Sequence, residues 1–329
     1  MRNNDCGSGI LKFENFKFLL DNNPAIRQVE LSNWGEVFLN KDLSRILEYA
    51  HTARVKVTIS NGANLNHASE KALEALVRTQ VEEVVVALDG ATDETYQKYR
   101  VRGRIDRVLN NIDTINAFKR KYDSQKPRLV WQYILFGHNE HEIGAARLLS
   151  KNLDMTFAPK LNALPDYSPV VNVEEVMAET GLQAGRVQPD WGTAICNQLW
   201  RSPQINWDGK ILGCCHNTWQ DFGGNAFADT LDECLNSVRL VYARKMVAGK
   251  VPQREDIPCT RCEFYACMSR TDRWVNFRRV STLSYVEKRF PHLHLAFKQA
   301  RRRYTAARVL LLRTLLSYAQ KMKAYVRTT

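Results

Sequence analysis

Seven of the eight cysteines lie between Cys196 and Cys267, and their spacing places the tightest constraint on how this 329-residue chain can fold. Twelve residues separate Cys196 from Gly209, and four more separate Gly209 from Cys214. Cys215 is adjacent, and after a gap of 43 residues come Cys259-Thr260-Arg261-Cys262 and then Cys267. Two cysteine groups this far apart, one of them a C-x-x-C pair, converge four thiolates on one metal or cluster when the intervening loop folds over it. The opening residues, MRNNDCGSGILKFENF, carry no apolar run of secretory type, and the longest apolar runs elsewhere are broken by charge, as Arg313 interrupts Val309 to Leu316. The expectation is a cytoplasmic protein without a membrane span, whose clustered cysteines are metal ligands and not disulfides.

The net charge of +12 is not spread evenly. From Arg289 to Thr329 there are ten Lys and Arg and no Asp or Glu, which leaves 37 basic against 35 acidic residues in the rest of the chain. Basicity therefore belongs to the tail, and a nucleic-acid-binding surface on the body is not expected.

Upstream of the cysteines, β-rich runs alternate with helical spacing. Phe13 to Leu20 has helical periodicity and stops at Asp21-Asn22-Asn23-Pro24. Gln28 to Leu31 reads as a strand ending in Ser32-Asn33-Trp34-Gly35-Glu36, and a helix from about Lys41 to Ala50 leads to the strand Val55 to Ile59, ending at Ser60-Asn61-Gly62. A helix near Ser69 to Arg78 precedes the run Val84 to Leu88, which ends at Asp89-Gly90. A helix over Ile105 to Tyr122 then precedes a strand over Leu129 to Phe136, and one more helix leads to Met155-Thr156-Phe157. Such alternation implies βα units and a parallel sheet or barrel. Polar and glycine residues follow each strand, at the end where parallel β/α barrels build their sites. Taken singly, Gly35, Gly62 and Gly90 also read as plain turn residues.

These residues resemble the radical S-adenosylmethionine (radical SAM) family with a C-terminal SPASM-type iron-sulfur domain. Trp34-Gly35-Glu36 resembles the Gly-Glu motif, whose carboxylate contacts the amino group of S-adenosylmethionine, and Ser60-Asn61-Gly62 resembles the Thr-Asn-Gly near the ribose. Val84 to Gly90 with Tyr96 to Arg100 resembles the Ser-x-Asp-Gly strand and its trailing Tyr-Arg, with Ala87 where serine is usual. The resemblance thus implies that Gly35, Glu36, Ser60, Asn61, Gly62, Asp89 and Arg100 bind the cofactor. Cys-x12-Gly-x4-Cys fits the opening of a SPASM domain, and Gln204 to Cys214 its β-hairpin with Asp208-Gly209 as the turn. The implied fold is a partial (β/α)6 TIM-like barrel lacking its first strand over residues 1–170, a SPASM-type module over 171–275, and a basic helical tail over 276–329. One auxiliary four-iron cluster is expected on Cys196, Cys214, Cys259 and Cys262, with Cys215 and Cys267 as alternates. Cys234 reads as a buried apolar residue.

One departure bears on activity. The Cys-x3-Cys-x2-Cys that binds the catalytic cluster in this family is missing from the sequence, and Cys6 is the one cysteine in its first 195 residues. Either the motif and the missing strand lie upstream of Met1, or the chain is a relative that keeps the fold without radical chemistry. The first case implies reductive cleavage of S-adenosylmethionine and hydrogen abstraction from a peptide, sugar or other small molecule, with a flavodoxin or ferredoxin as electron donor. The second implies a non-catalytic iron-sulfur or zinc scaffold, since four cysteines in this spacing bind structural zinc equally well. His138, His141 and His216 are read as loop residues. In the tail, Leu293, Phe297, Ala300, Tyr304, Ala307, Leu311, Leu315, Tyr318, Met322 and Tyr325 form one apolar stripe flanked by arginines. This stripe suits packing on the protein or a partner helix, or peripheral attachment to an anionic membrane.

Overall fold

A computed structural model describes residues 6–162, 164, 166–182 and 191–275. The described residues fall within one compact unit, Met1–Val275, and the sequence-derived boundary near residue 170 lies inside it. The tail and its expected amphipathic helix lie outside the described residues. The main element is a five-stranded parallel sheet, with β1 (Gln28–Glu30), β2 (Lys56–Ala63), β3 (Glu83–Ala87), β4 (Arg128–Leu135) and β5 (Met155–Leu161) paired in sequence order.

Helices connect the strands: α1 (Phe13–Asn22) before the sheet, then α2 (Leu43–Thr52), α3 (Glu70–Arg78), α4 (Asp93–Tyr99), α5 (Ile105–Lys121), α6 (Ile143–Asn152) and, after β5, α7 (Val173–Thr180). The apolar spacing of α2 buries Leu43, Ile46, Leu47 and Ala50 on one face. In α3 the Ser69 hydroxyl accepts from Ala72 N at 3.3 Å, closing the first turn, and Leu73, Leu76 and Val77 are buried. These faces meet Val57, Ile59, Val84, Val86, Leu129, Trp131, Tyr133 and Leu135 from the strands in one core. Each such side chain contributes about 1.5–3 kcal/mol of burial.

Strand alternation sends the intervening residues to the opposite face of the sheet. That face carries Glu30, Thr58, Ser60, Val85, Ala87, Val130, Gln132, Ala158 and Lys160. One face is thus uniformly apolar and the other holds the polar residues, which is how the sheet positions a site.

Two strands differ from the sequence reading. Ser60-Asn61-Gly62 does not follow β2 but lies within it, as a bulge: Ile59 pairs with Val84, and pairing resumes at Ala63 with Val86. β5 continues beyond Phe157 through Ala158-Pro159-Lys160-Leu161. Pro159 reads as a strand breaker, but β5 is an edge strand, where a missing N–H is tolerated.

After this sheet come short helices and turns: α8 (Trp191–Cys196), α9 (Gln198–Arg201), α10 (Leu231–Leu235), α11 (Val238–Val247) and α12 (Glu263–Thr271). Between α9 and α10 the expected hairpin is present. Ile205 pairs with Ile211, Asn206 N donates to Lys210 O at 2.8 Å, and Gly209 N closes the turn on Asn206 O at 3.0 Å. Gly209 has φ +90°, and a Cβ there would meet Asn225 Oδ1, so glycine is required. The hairpin is tied to the N-terminal segment: Cys6 N donates to Thr218 O, and Asn206 Nδ2 donates to Cys6 O. Among the described residues no helix is long and apolar enough to cross a membrane.

Candidate functional site

Two clusters of chemistry-bearing side chains emerge, one at the carboxyl ends of the strands and one around the cysteines. At the first, the loop after β1 and the bulge of β2 are brought together. The bulge frees backbone N–H groups from the ladder, and side chains from the β1 side take them up. Glu30 accepts from Ser60 N at 3.0 Å and from the Thr58 hydroxyl at 2.7 Å, while the Ser32 hydroxyl accepts from Asn61 N at 3.0 Å. Asn61 Nδ2 donates to Asn33 Oδ1 at 2.9 Å, and Asn33 in turn donates to Gln204 of the cysteine hairpin.

Gly35 and Glu36 sit in this cluster. Gly35 has φ +76° with open space where a Cβ would project, so the turn itself requires glycine. Glu36 is exposed, its Oε2 accepts from Asn64 N at 3.1 Å, and its Oε1 has no partner among the described residues. A half-occupied, exposed carboxylate beside freed backbone groups can receive a ligand ammonium.

Asp89 and Arg100 are placed differently. Asp89 is fully buried, with both oxygens occupied: Oδ2 accepts from Arg100 Nε and Nη2 at 2.8 Å, and Oδ1 accepts from Ile134 N at 2.8 Å. Burial pushes its carboxyl above the ordinary value, against the pull of Arg100 and the Ile134 N–H. These two residues hold the β3 end against β4, and their charges are spent on each other. Nearby, Glu142 accepts from Ala91 N and the Thr92 hydroxyl, both at 2.6 Å, and anchors the same loop.

His138 stacks on Phe136 at 4.9 Å, and its Nδ1 lies 2.8 Å from the Ser168 hydroxyl. Burial lowers its pKa, so it is neutral near pH 7. His141 lies in a short turn before α6, and His216 Nε2 faces Glu263 at 3.3 Å.

The second cluster is a cavity lined by Cys196, Cys214, Cys259 and Cys262, closed by apolar neighbours that include Leu199, Phe222 and Tyr265. These are the four cysteines that the SPASM resemblance implies as ligands, contributed by α8, the end of the hairpin, the turn before α12 and the residue that caps α12. The alternates are not in the lining: Cys215 N bonds Gln198 Oε1 at 2.7 Å, and Cys267 is exposed on α12. Cys234 is buried in α10 against Gly224.

Burial and the neighbouring sulfurs raise the thiol pKa values. Burial pushes Cys214 up to about 11, against backbone N–H donors from His216 and Asn217, and Cys196 and Cys259 also rise, for them with burial first and the neighbouring cysteines second. Burial and their mutual proximity disfavour the thiolate forms, and a cation that binds these sulfurs would displace their protons. Among the described residues no set of three or more His, Cys, Asp or Glu is drawn close enough to grip a single metal ion. Four thiols surrounding a shared cavity are a donor set suited to an iron-sulfur cluster, which is wider than one ion.

Sequence reasoning missed Glu30, Ser32, Gln132 and Lys160. The signal was a polar residue inside an apolar strand, as in Leu129-Val130-Trp131-Gln132-Tyr133, which marks a position facing a site and not the core.

No protein-family model matches this chain, and no curated protein does. Among solved structures it is similar in fold to Streptococcus suis SuiB. The structure of SuiB bound to S-adenosylmethionine matches at TM-score 0.54 and 12% identity, covering 80% of this chain and 66% of that one. SuiB bound to its precursor peptide SuiA matches at TM-score 0.52 and 11% identity, covering 78% and 64%. The chain thus spans slightly under two thirds of the length of these proteins, and at this identity the likeness shows a shared α/β fold.

Proposed function

We propose that this chain is a radical SAM-like iron-sulfur protein, with a partial (β/α)6 barrel that binds S-adenosylmethionine and a SPASM-type module that holds one auxiliary four-iron cluster. The observation that carries this reading is that Cys196, Cys214, Cys259 and Cys262 line one cavity, in a chain similar in fold to a protein solved with S-adenosylmethionine. In this reading Glu36 receives the cofactor's ammonium through its unoccupied oxygen, and the Ser60 to Gly62 bulge lies beside the ribose. Asp89 and Arg100 act through the backbone they pin and do not touch the cofactor. That SuiB has been solved with a precursor peptide supports a peptide as substrate.

An auxiliary cluster supplies electron transfer or substrate binding; this chain's residues supply four thiolates and an apolar wall that keeps water out. The catalytic cluster does not fit the residues present. Cys6 stands apart from the cavity, bonded through its backbone to Thr218, and one thiolate cannot hold such a cluster. No hydrogen-abstraction step is therefore assigned to these residues. The missing Cys-x3-Cys-x2-Cys supports a second reading, a non-catalytic iron-sulfur scaffold that retains cofactor binding.

The test is the iron, sulfide and zinc content of anaerobically purified protein, with equilibrium dialysis against S-adenosylmethionine. About four irons and four sulfides per chain are expected, lost together when Cys196 and Cys259 are both replaced by alanine. One zinc and no iron would overturn the cluster, and failure to retain S-adenosylmethionine would overturn the cofactor assignment.

A further inference from the structure

Gln132 lies in the middle of a central strand, is 5% exposed, and faces the polar side of the sheet. Its neighbours there are small: Ala87 on β3 and Ala158 on β5 stand directly beside it in register. Gly62 completes the surround, because a Cβ at that position would fall 2.6 Å from Gln132 Nε2 and 3.2 Å from its amide carbon. The amide therefore lies across the β2 bulge and is held in one place.

Lys160, two residues past Ala158 on the edge strand, is exposed along its stem, and its ammonium reaches in to donate to Gln132 Oε1 at 2.5 Å. An ammonium has only donors, so the amide oxygen must face it, and the amide NH2 is turned toward Gly62. That NH2 has no acceptor among the described residues, and Lys160 has no carboxylate partner among them. The nearest anion it feels is Asp89, already claimed by Arg100 and Ile134 N. Burial of the head group lowers the Lys160 pKa, with Asp89 pulling the other way. A cation whose one side-chain partner is neutral, beside an amide NH2 that is held in place and free to donate, offers two donors side by side to an anion.

We propose that Lys160 and Gln132 form a carboxylate-binding pair on the polar face of the sheet, taking one carboxylate oxygen on the ammonium and the other on the amide NH2. Only the small side chains of Ala87 and Ala158 flank Gln132 in register, and Glu36, bonded to Asn64 N just past the β2 bulge, offers an acceptor for an ammonium. A ligand with both groups, an α-amino acid end, suits both. Two sources of that chemistry exist: the amino acid end of S-adenosylmethionine, which rests on the function proposed above, and the terminus of a peptide, which does not.

The test is calorimetric binding to the full chain of two matched pairs: S-adenosylmethionine against its decarboxylated form, and triglycine against triglycine amide. In the wild type, one acid is expected to bind about tenfold or more tightly than its carboxylate-free partner, as a charged hydrogen bond is worth. Lys160→Met should reduce that preference to near unity, and Lys160→Arg should retain part of it. Preference confined to triglycine would leave the pair standing as a peptide site while removing the cofactor role. An unchanged preference in Lys160→Met, or no preference for either acid, including no binding at all, overturns the proposal. Circular dichroism of each variant separates loss of the site from loss of the fold.

Discussion

The sheet half and the cysteine half of this molecule are stabilised by different means. From Phe13 to Leu161, regular helices and strands joined by parallel backbone ladders bury a continuous apolar core. From Trp191 to Val275 the helices are ten residues or shorter, the strand content is two isolated bridges, and four thiols surround a cavity. If the proposed cluster occupies that cavity, a segment with so little regular structure would draw much of its stability from it, as small metal modules do. The sheet half is expected to survive loss of metal, and the cysteine half to loosen.

The largest effect should come from the cavity cysteines. Replacing Cys259 and Cys262 together by alanine is expected to abolish iron binding, where metal coordination in comparable modules is worth about 10 kcal/mol. Hydrogen exchange would then show lost protection at Leu212 and Phe222, whose amides bond Gln204 O and Ile211 O, with protection in β3 and β4 unchanged. Uniform loss across both halves would break the comparison. Cys267→Ala should leave iron content unchanged, because that side chain is exposed and away from the cavity.

Next comes the buried pair in the sheet half. Arg100→Met strands the Asp89 carboxylate without its cation, and urea unfolding should show a loss of about 3–5 kcal/mol. Iron content should not change, which would sharpen the separation of the halves. Gly62→Ala follows at about 2 kcal/mol, because φ is +86° and the new methyl meets the Gln132 amide.

The smallest effect has a pH signature. Burial alone would raise the Glu142 carboxyl, but hydrogen bonds from Ala91 N and Thr92 bring it below its ordinary 4.5. Its folded pKa is therefore depressed, so its stabilisation is present above pH 4.5 and is lost as pH falls through the folded value. Glu142→Gln is expected to cost about 1–2 kcal/mol near pH 7 and progressively less in acid, read by urea unfolding at several pH values. A difference that stays constant with pH would show that the carboxylate's charge does not matter there.

Much of the sheet half is legible in the sequence, since helical spacing and β-rich runs are local signals. Phe13 to Leu20, Ser69 to Arg78 and Ile105 to Tyr122 correspond to α1, α3 and α5 within two residues at either end. The four cavity cysteines are legible for another reason: the resemblance to the SPASM spacing picks them out, and they line one cavity. What escaped depends on distant partners. Glu30 gains its role from Ser60, thirty positions later, and Lys160 from Gln132 on the neighbouring strand. Asp89 and Ser60-Asn61-Gly62 were placed at strand ends by pattern, but only packing could show the first spent on Arg100 and the second folded into β2.

The β2 bulge has a consequence for how such a chain can vary by descent. Between the pairs Ile59 with Val84 and Ala63 with Val86, β2 uses two more residues than β3, an even number. Side alternation is therefore in phase before and after it, and Ile59 and Ala63 both belong to the core. Insertions or deletions here are tolerated in pairs and penalised singly. Removing Asn61 and Gly62 together should leave the core intact, and removing Asn61 alone should turn Ala63 outward, a contrast that urea unfolding of the two deletions would register. A lineage can thus rebuild this bulge two residues at a time without disturbing the packing beneath it.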